Sequence, residues 1–270
     1  MDRLYVLIKR IDLLNANAEQ CAYIVGPPSP FSFVCYADAV AFVAKSFGLD
    51  LTTRWVLPIY HGICEEQVAP GMLKREAFGI KESKANLLAP QIRDELKGNF
   101  NLSLILCFDF DPFASDLDDK MRKLRNRLPT RMAGGSFFVW PSDNDKIQFT
   151  TNENWTDVFN FRQLWPESHI IIHRPELVED MQSYDDLVRL TVLDPKSDLS
   201  PLFIGFEPIS ERVARANTRD NYGFHEFCDP LISVGEWISP YAIRPDTKIY
   251  WAKESVPGIK TVSSFSAREV

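Results

Sequence analysis

The chain has 270 residues, 45% of them hydrophobic, and a formal net charge of −7 at pH 7. That length and apolar content can form a sizeable core, so we expect one domain of two lobes or two small domains. The acidic balance excludes the uniformly basic surface of a free-standing nucleic-acid-binding domain, although a local basic face remains compatible with it.

Targeting, redox and metal signals are weak throughout the chain. No apolar run reaches the roughly 18 to 20 residues of a membrane span, and the N-terminus lacks the core and cleavage site of a signal peptide. Five scattered cysteines without a C-x-x-C pair are typical of buried cytosolic thiols. We therefore predict a cytoplasmic protein without a metal or other cofactor, because the four histidines also lack ligand spacing.

The first half of the chain reads as strand, helix, strand, strand, helix, strand. Apolar alternation predicts strands over residues 3–14 (with a bulge near Lys9 and Arg10), 54–68, 101–110 and 134–140. Ser29 and Pro30 begin the first predicted helix, which Gly48 ends, and the second helix covers residues 114–128. Pro58 suggests that its strand is an edge strand or carries a bulge.

This order predicts an α+β protein with a modified ferredoxin-like lobe, that is, an RRM-like βαββαβ unit, over residues 1–140. Residues 69–99 form a long insertion between the two middle strands, and loops of that length are usually functional. Residues 141–270 form a smaller mixed α/β C-terminal lobe. It contains a strand over 168–174, a helical segment over 175–193 and a strand over 201–209, with the boundary near 141–150.

Catalytic motifs are scarce. Asp109 and Asp111 share one side of a strand, as paired metal-binding carboxylates do, but no further ligand motif follows them. His61 and His225 are the two candidates for the general base of an RNA-cleaving ferredoxin-like enzyme. No phosphate-binding glycine motif or nucleophile elbow accompanies them.

Four segments combine the donors and flexible backbone that suit nucleic acid: "NANA" from residue 15, "LKREAF" from residue 73, the basic second helix running into Gly-Gly, and "RANTRDN" from residue 215. Each also has a simpler interpretation, such as turn formation at Asn15 and Asn17 or a solvated charged face on the helix. Trp237, in "GEWISP", is equally suited to core packing.

Several blocks resemble one protein family in the same order along the chain. "RIDLLNANAEQCAYIVGPPSPFSFVCYADAV" is similar to the opening of the Csy-type, Cas-five-class subunit of type I-F CRISPR surveillance complexes (Cascade). "RMAGGSF" resembles a second block of that family, and the segment from "PLFIGFEPI" through "GEWISPYAIR" resembles its C-terminal block.

The resemblance implies a non-catalytic subunit with a modified ferredoxin-like fold. Such a subunit holds the 5′ handle of the crRNA beside the large subunit and caps the backbone filament, while guide pairing reads the target. The positions that match the family's RNA-binding blocks, or fall in its basic hairpin-like insertion, are Asn15, Asn17, Lys74, Arg75, Arg131, Gly134, Gly135, Arg215, Asn217 and Arg219.

Two alternatives stay open. A variant of this subunit in a minimal complex would also recognise target DNA near the protospacer-adjacent motif, through the insertion or the second lobe. A ferredoxin-like endoribonuclease would instead use His61 or His225, and cleavage of repeat RNA by the isolated protein would distinguish it.

Overall fold

The chain folds into a mixed α/β structure built on a large antiparallel sheet with four α-helices in the described residues. The structure is a computed structural model, which describes residues 2–21, 24–61, 69–72, 94–111, 116–139, 145–179, 181–191, 198–214, 224–256 and 259–266.

The strands in chain order are β1 (Asp2–Asn17), β2 (Glu19–Cys21), β3 (Ile24–Val25), β4 (Leu51–His61), β5 (Ala69–Met72), β6 (Asp94–Phe110), β7 (Arg131–Met132), β8 (Gly135–Ser136), β9 (Ile147–Thr150), β10 (Ser168–His173), β11 (Leu199–Pro208), β12 (Val213–Ala214), β13 (Phe224–His225), β14 (Cys228–Ile238), β15 (Lys248–Val256) and β16 (Ile259–Ser266). The helices are α1 (Pro30–Lys45), α2 (Leu117–Arg127), α3 (Trp155–Val158) and α4 (Tyr184–Thr191), joined by single 3-10 turns at Phe161–Leu164, Pro175–Leu177 and Pro240–Ala242.

Twelve strands form one sheet in the order β10–β14–β11–β16–β15–β4–β6–β1–β8–β7, with β5 added to β6 and β9 added to β1. At its centre, β4, β6, β1 and β9 are adjacent and antiparallel. The sheet continues from the first half of the chain into the second, because β15 pairs with β4 at Trp251 and Val56. The predicted lobe boundary near residues 141–150 stays a prediction.

The first strand has the bulge that its sequence predicts. The register of β1 against β6 shifts between Ile8 and Ile11, and Arg10 adopts a φ of 43°. The displaced Arg10 N–H donates to the hydroxyl of Ser103 at 2.8 Å. A side chain on the neighbouring strand thus satisfies the backbone donor that the bulge removes from the ladder.

Helix α1 begins and ends where its sequence signals predict. Ser29 is the N-cap with extended backbone and Pro30 is the first helical residue, whereas Gly48 follows the helix with a φ of 76°. Ser29 does not use its hydroxyl as a cap, since no described N–H donates to it.

Pro58 lies inside the sheet rather than at its edge. It pairs with Leu104 of β6 on one side. On the other side, β4 pairs with β15 only at Val56 and with β10 only at Tyr60 and His61. The missing N–H of proline therefore falls in a gap between two short pairings, which explains how an internal strand accommodates it.

Two predicted elements are shorter than expected. The strand over residues 134–140 is reduced to Gly135–Ser136, because a hairpin forms there, and β9 pairs with β1 instead. The helical segment over 175–193 is a 3-10 turn followed by α4. Asp186 accepts hydrogen bonds from the N–H and hydroxyl of Ser183 at 3.1 and 3.0 Å, a capping arrangement that starts a new helix.

Both faces of the central strands are buried. Leu4, Val6 and Ile8 of β1 join the core beneath α1 and α2. Tyr5 and Leu7 join a second core on the opposite face. Burial on both faces explains the nearly continuous apolar run of this strand.

No helix in the described part of the chain is long and apolar enough to cross a membrane.

Candidate nucleic-acid interface

The end of β1 bends at Asn15. A second register shift separates Leu13 from Ala16, and Asn15 adopts a φ of 55°, a conformation that asparagine tolerates better than most residues. Its N–H donates to Asn99 Oδ1 at 2.9 Å. The backbone of Asn15 therefore has a turn-forming role, while its side chain remains exposed.

A tight hairpin lies against this bend. Strands β7 and β8 are joined by Ala133 and Gly134, whose φ values of 48° and 77° are typical of a two-residue type I′ turn. The Asn17 N–H donates to Ala133 O at 2.8 Å, and Leu14 pairs with Ser136. The two predicted segments, residues 15–17 and 131–135, are therefore in direct contact.

Gly135 of the hairpin is required by space, whereas Gly134 is favoured by its left-handed backbone. A Cβ on Gly134 would lie 2.6 Å from Asn17 Oδ1, and one on Gly135 would lie 2.6 Å from the carbonyl oxygen of Leu14. Such distances are too short for any real Cβ. The Gly-Gly pair thus allows the hairpin to approach the strand end closely and leaves backbone groups near the surface.

The base of the insertion meets the same place. Lys97 is paired with Asn17 across β1 and β6 and donates a short hydrogen bond from Nζ to Asn17 Oδ1. Ala69 of β5 is the partner of Lys97 on its other side. The strand end, the insertion and the hairpin therefore converge on the Asn17 side chain.

These elements border an open cleft of about 350 Å³ at the start of α1, which we call the α1 cleft. Arg131 and Gly134 lie on its hairpin side, where both are exposed, and Asn17 lies at the strand end. Glu19, Ser29, Phe31 and Cys35 are among the residues of the remaining wall. Burial raises the pKa of the Cys35 thiol, with a further increase from Asp38, so this thiol is not an activated nucleophile.

The cations of α2 are largely engaged within the chain. Arg122 and Lys123 form ion pairs with Asp119 at 2.5 and 2.6 Å. These contacts lower the pKa of Asp119. The Arg125 guanidinium lies 5.5 Å from the centre of the Phe149 ring. These contacts favour a solvent-exposed helix face whose cations pair within the chain over a face that binds phosphates.

Five predicted site residues lie outside the described residues: Lys74, Arg75, Arg215, Asn217 and Arg219. Their assignment to RNA binding stays a prediction, as does that of the residues placed at the α1 cleft.

The environment of His61 does not favour catalysis. His61 is 8% exposed and shares a 2.7 Å hydrogen bond between Nε2 and the hydroxyl of Ser103, the same hydroxyl that accepts from Arg10. Burial, reinforced by the nearby Arg10 charge, lowers the pKa of His61 to about 4. The side chain of His225 lies outside the described residues.

The carboxylates considered for metal binding are not grouped with further ligands. Asp109 forms an ion pair with Arg54 at 3.4 Å, and Asp111 is exposed. Within the described ranges, no three His, Cys, Asp or Glu side chains come close enough together to hold a metal ion.

The sequence interpretation missed several residues of this region. Lys97 was one cation among several in the insertion, and its contact with Asn17 links positions 80 residues apart. Glu19 and Phe31 lie within the first family-resembling block, but neither was among the predicted site residues. Phe138, two residues after the hairpin, is 69% exposed, which the apolar pattern of its predicted strand does not indicate.

One comparison with known proteins gives a match. Residues 193–258 match the family model described as CRISPR-associated protein (Cas_Csy2). No curated protein matches the chain. The matched segment includes "RANTRDN" and "GEWISP", so it confirms the resemblance that the C-terminal block indicated. The match links this C-terminal segment to a CRISPR-associated protein family.

Proposed function

We propose that this Csy-type subunit of a type I-F CRISPR system is a non-catalytic RNA-binding subunit that holds the crRNA 5′ handle and caps the backbone filament of the complex. The observation that supports this proposal most directly is the convergence at Asn17. Two segments that suit nucleic acid by their sequence, the strand end at Asn17 and the hairpin after Arg131, meet there, and Lys97 of β6 contacts the same asparagine.

The chemistry of the convergence suits a single RNA strand. Arg131 is an exposed cation for a phosphate, Asn17 carries an amide for a base edge, and Gly134 exposes backbone. None of these groups requires a basic protein, so the net charge of −7 is compatible with binding. We expect much of the remaining acidic surface to face protein neighbours in the complex.

The central sheet supports a ferredoxin-like core as part of this proposal. A βαββαβ unit places its fourth strand beside the first, and its third strand between the first and the second. The neighbours β4–β6–β1–β9, with α1 and α2 packed on one face, follow that order. We also propose a cytoplasmic location, since Cys21, Cys35, Cys107 and Cys228 are free thiols.

Co-expression with the neighbouring Cas subunits and the CRISPR array tests this function. We expect the chain to purify in a complex that contains processed crRNA. A chain that elutes as a monomer without RNA under these conditions would contradict the proposal.

Arg131→Ala tests the site within that complex. We expect weaker RNA binding and a decrease of about one in the slope of log affinity against log salt, because one phosphate contact is lost. Arg244→Ala is a matched control, since Arg244 is an exposed arginine that lines a different cleft. Equal effects of the two substitutions would argue against the site.

A further inference from the structure

We infer that the α1 cleft binds one unpaired nucleotide of the bound RNA, with its base against Phe31 and its phosphate at Arg131. This inference rests on the proposed function and specifies what the cleft recognises. A volume of about 350 Å³ is at the lower end of the range for small-molecule sites, and it is open to solvent on one side. A duplex does not enter such a cleft, whereas a nucleotide turned out of a single strand does.

Phe31 provides a fixed aromatic wall. Its ring is half-buried and makes edge contacts with Phe203 at 5.3 Å and with Phe206 at 5.7 Å, measured between ring centres. Phe203 and Phe206 are themselves 5.0 Å apart, so the three rings hold one another in place. Because the ring is already ordered, stacking a base on it requires little further loss of side-chain entropy.

The cleft is lined by groups of both charges. Arg131 is exposed on the hairpin side, and Glu19 also lines the cleft. A phosphate bound at Arg131 lies on the hairpin side, so the base of the same nucleotide extends into the cleft toward Phe31.

Ser29 adds an unsatisfied polar group. It is 2% exposed, lines the cleft, and its hydroxyl has no hydrogen-bond partner among the described residues. Serine at an N-cap normally accepts from the first turn of its helix, and this one does not. Buried hydroxyls are rarely left unpaired, so a polar edge of the bound base is a suitable partner.

Cys35 allows a direct test, because it is an exposed residue that lines the cleft, even though neighbouring atoms partly desolvate its thiol. The full chain is treated with N-ethylmaleimide, with and without a single-stranded RNA carrying the 5′ handle sequence of its own CRISPR repeat, and modification of each cysteine is followed by mass spectrometry. We expect RNA to slow modification of Cys35 severalfold. Cys228, which is exposed outside the cleft, is the internal reference.

Substitutions at the aromatic wall give a second readout. Phe31→Leu keeps apolar volume but removes the stacking face, so we expect about tenfold weaker RNA binding and loss of Cys35 protection. Phe42→Leu is the control, since Phe42 is 79% exposed on the same helix and does not line the cleft.

The outcomes separate this inference from the proposed function. RNA binding without protection of Cys35, or with equal protection of Cys35 and Cys228, overturns the nucleotide site and leaves the RNA-binding function standing. Protection by DNA of the same sequence but not by RNA overturns the assignment to RNA. Failure of the chain to bind the RNA, both alone and in the co-expressed complex, overturns both.

Discussion

Gly134 occupies a position where its backbone conformation disfavours a side chain and where a Cβ would displace the Asn17 side chain. Its φ of 77° is left-handed, and a Cβ would lie 2.6 Å from Asn17 Oδ1. We expect Gly134→Ala to lower the free energy of unfolding by about 1 to 2 kcal/mol, from the left-handed conformation alone. It should also displace the Asn17 amide and weaken RNA binding. Urea denaturation and RNA affinity, measured on the same variant, check both effects.

Gly26→Ala is the matched control for that substitution. The nearest atom to a Cβ on Gly26 is Gln20 Nε2 at 3.5 Å, which is an ordinary contact. We expect a change in unfolding free energy within about 0.5 kcal/mol of wild type. Similar losses in the two variants would show that the hairpin turn is not under this constraint.

His61 gives the protein a defined response to acid. Its pKa is lowered from 6.5 to about 4 by burial and by Arg10, so the unfolded chain binds a proton at pH values where the folded chain does not. Stability from this group is therefore complete above pH 6.5 and is lost as the pH falls toward 4. From pH 7.5 to pH 5, we expect a loss of about 2 kcal/mol from His61.

Substitution by a residue that does not titrate isolates this contribution. Between pH 7.5 and pH 5, we expect the free energy of unfolding of His61→Gln to fall by about 2 kcal/mol less than that of wild type, as measured by urea denaturation. His173, whose pKa is also lowered to about 4 by burial, should keep its own contribution in both proteins. His169→Gln is the control at an exposed histidine of β10. If His61→Gln shows the same pH dependence of stability as wild type, the acid sensitivity does not come from His61.

At the scale of the element, the bulge of β1 depends on a residue of β6. Ser103 is completely buried, accepts the Arg10 N–H and shares a hydrogen bond with His61. Ser103→Ala leaves two buried polar groups without this partner, so we expect a loss of about 2 to 3 kcal/mol in unfolding free energy. Ser46→Ala, which removes an exposed hydroxyl at the end of α1, should change it by less than about 0.5 kcal/mol. Equal losses would mean that the bulge does not need Ser103.

Elements with strong local signals could be predicted from the sequence. The bulge at Arg10 interrupts an alternating apolar pattern, and α1 lies between Ser29–Pro30 and Gly48. The strand over residues 134–140 could not be predicted correctly, because Gly135 leaves the strand direction at a hairpin and β9 occupies the place beside β1. That competition depends on long-range pairing, which local propensity does not encode.

The same distinction applies to the candidate site. The residue types at Asn17 and at Arg131–Gly135 indicated nucleic-acid contact for each segment separately. Their proximity follows from the order of the strands, and the contact between Lys97 and Asn17 follows from pairing across 80 residues. The ring of Phe31, which lines the cleft, is packed against Phe203 and Phe206 of β11 from the C-terminal half, a contact that local sequence does not indicate.

At the scale of the whole molecule, the two halves of the chain complete each other's cores. Tyr5 of β1 stacks on Trp155 at 5.8 Å, and Trp55 of β4 contacts Tyr250 at 4.4 Å between ring centres. Trp251 is fully buried and donates from its indole to Ile171 O at 3.2 Å. The two halves of the chain therefore share one sheet and both of its hydrophobic faces, which ties the position of the α1 cleft to the C-terminal half.

This sharing of the sheet and its faces predicts that the chain unfolds as one unit. Without residues 141–270, Tyr5, Leu7, Trp55 and Leu57 lose the cover of Trp155, Phe159 and Tyr250. Burial of each such side chain contributes about 1.5 to 3 kcal/mol, so the sum approaches the 5 to 15 kcal/mol by which a typical domain is stable.

We expect a fragment of residues 1–140 to lack cooperative unfolding and near-ultraviolet circular dichroism, and to regain both when residues 141–270 are supplied as a separate chain. In the intact chain, calorimetric and van't Hoff enthalpies should agree within error. Two separate thermal transitions, or a stable isolated fragment, would instead show that the lobes are energetically independent and that the α1 cleft does not need β11 to hold its shape.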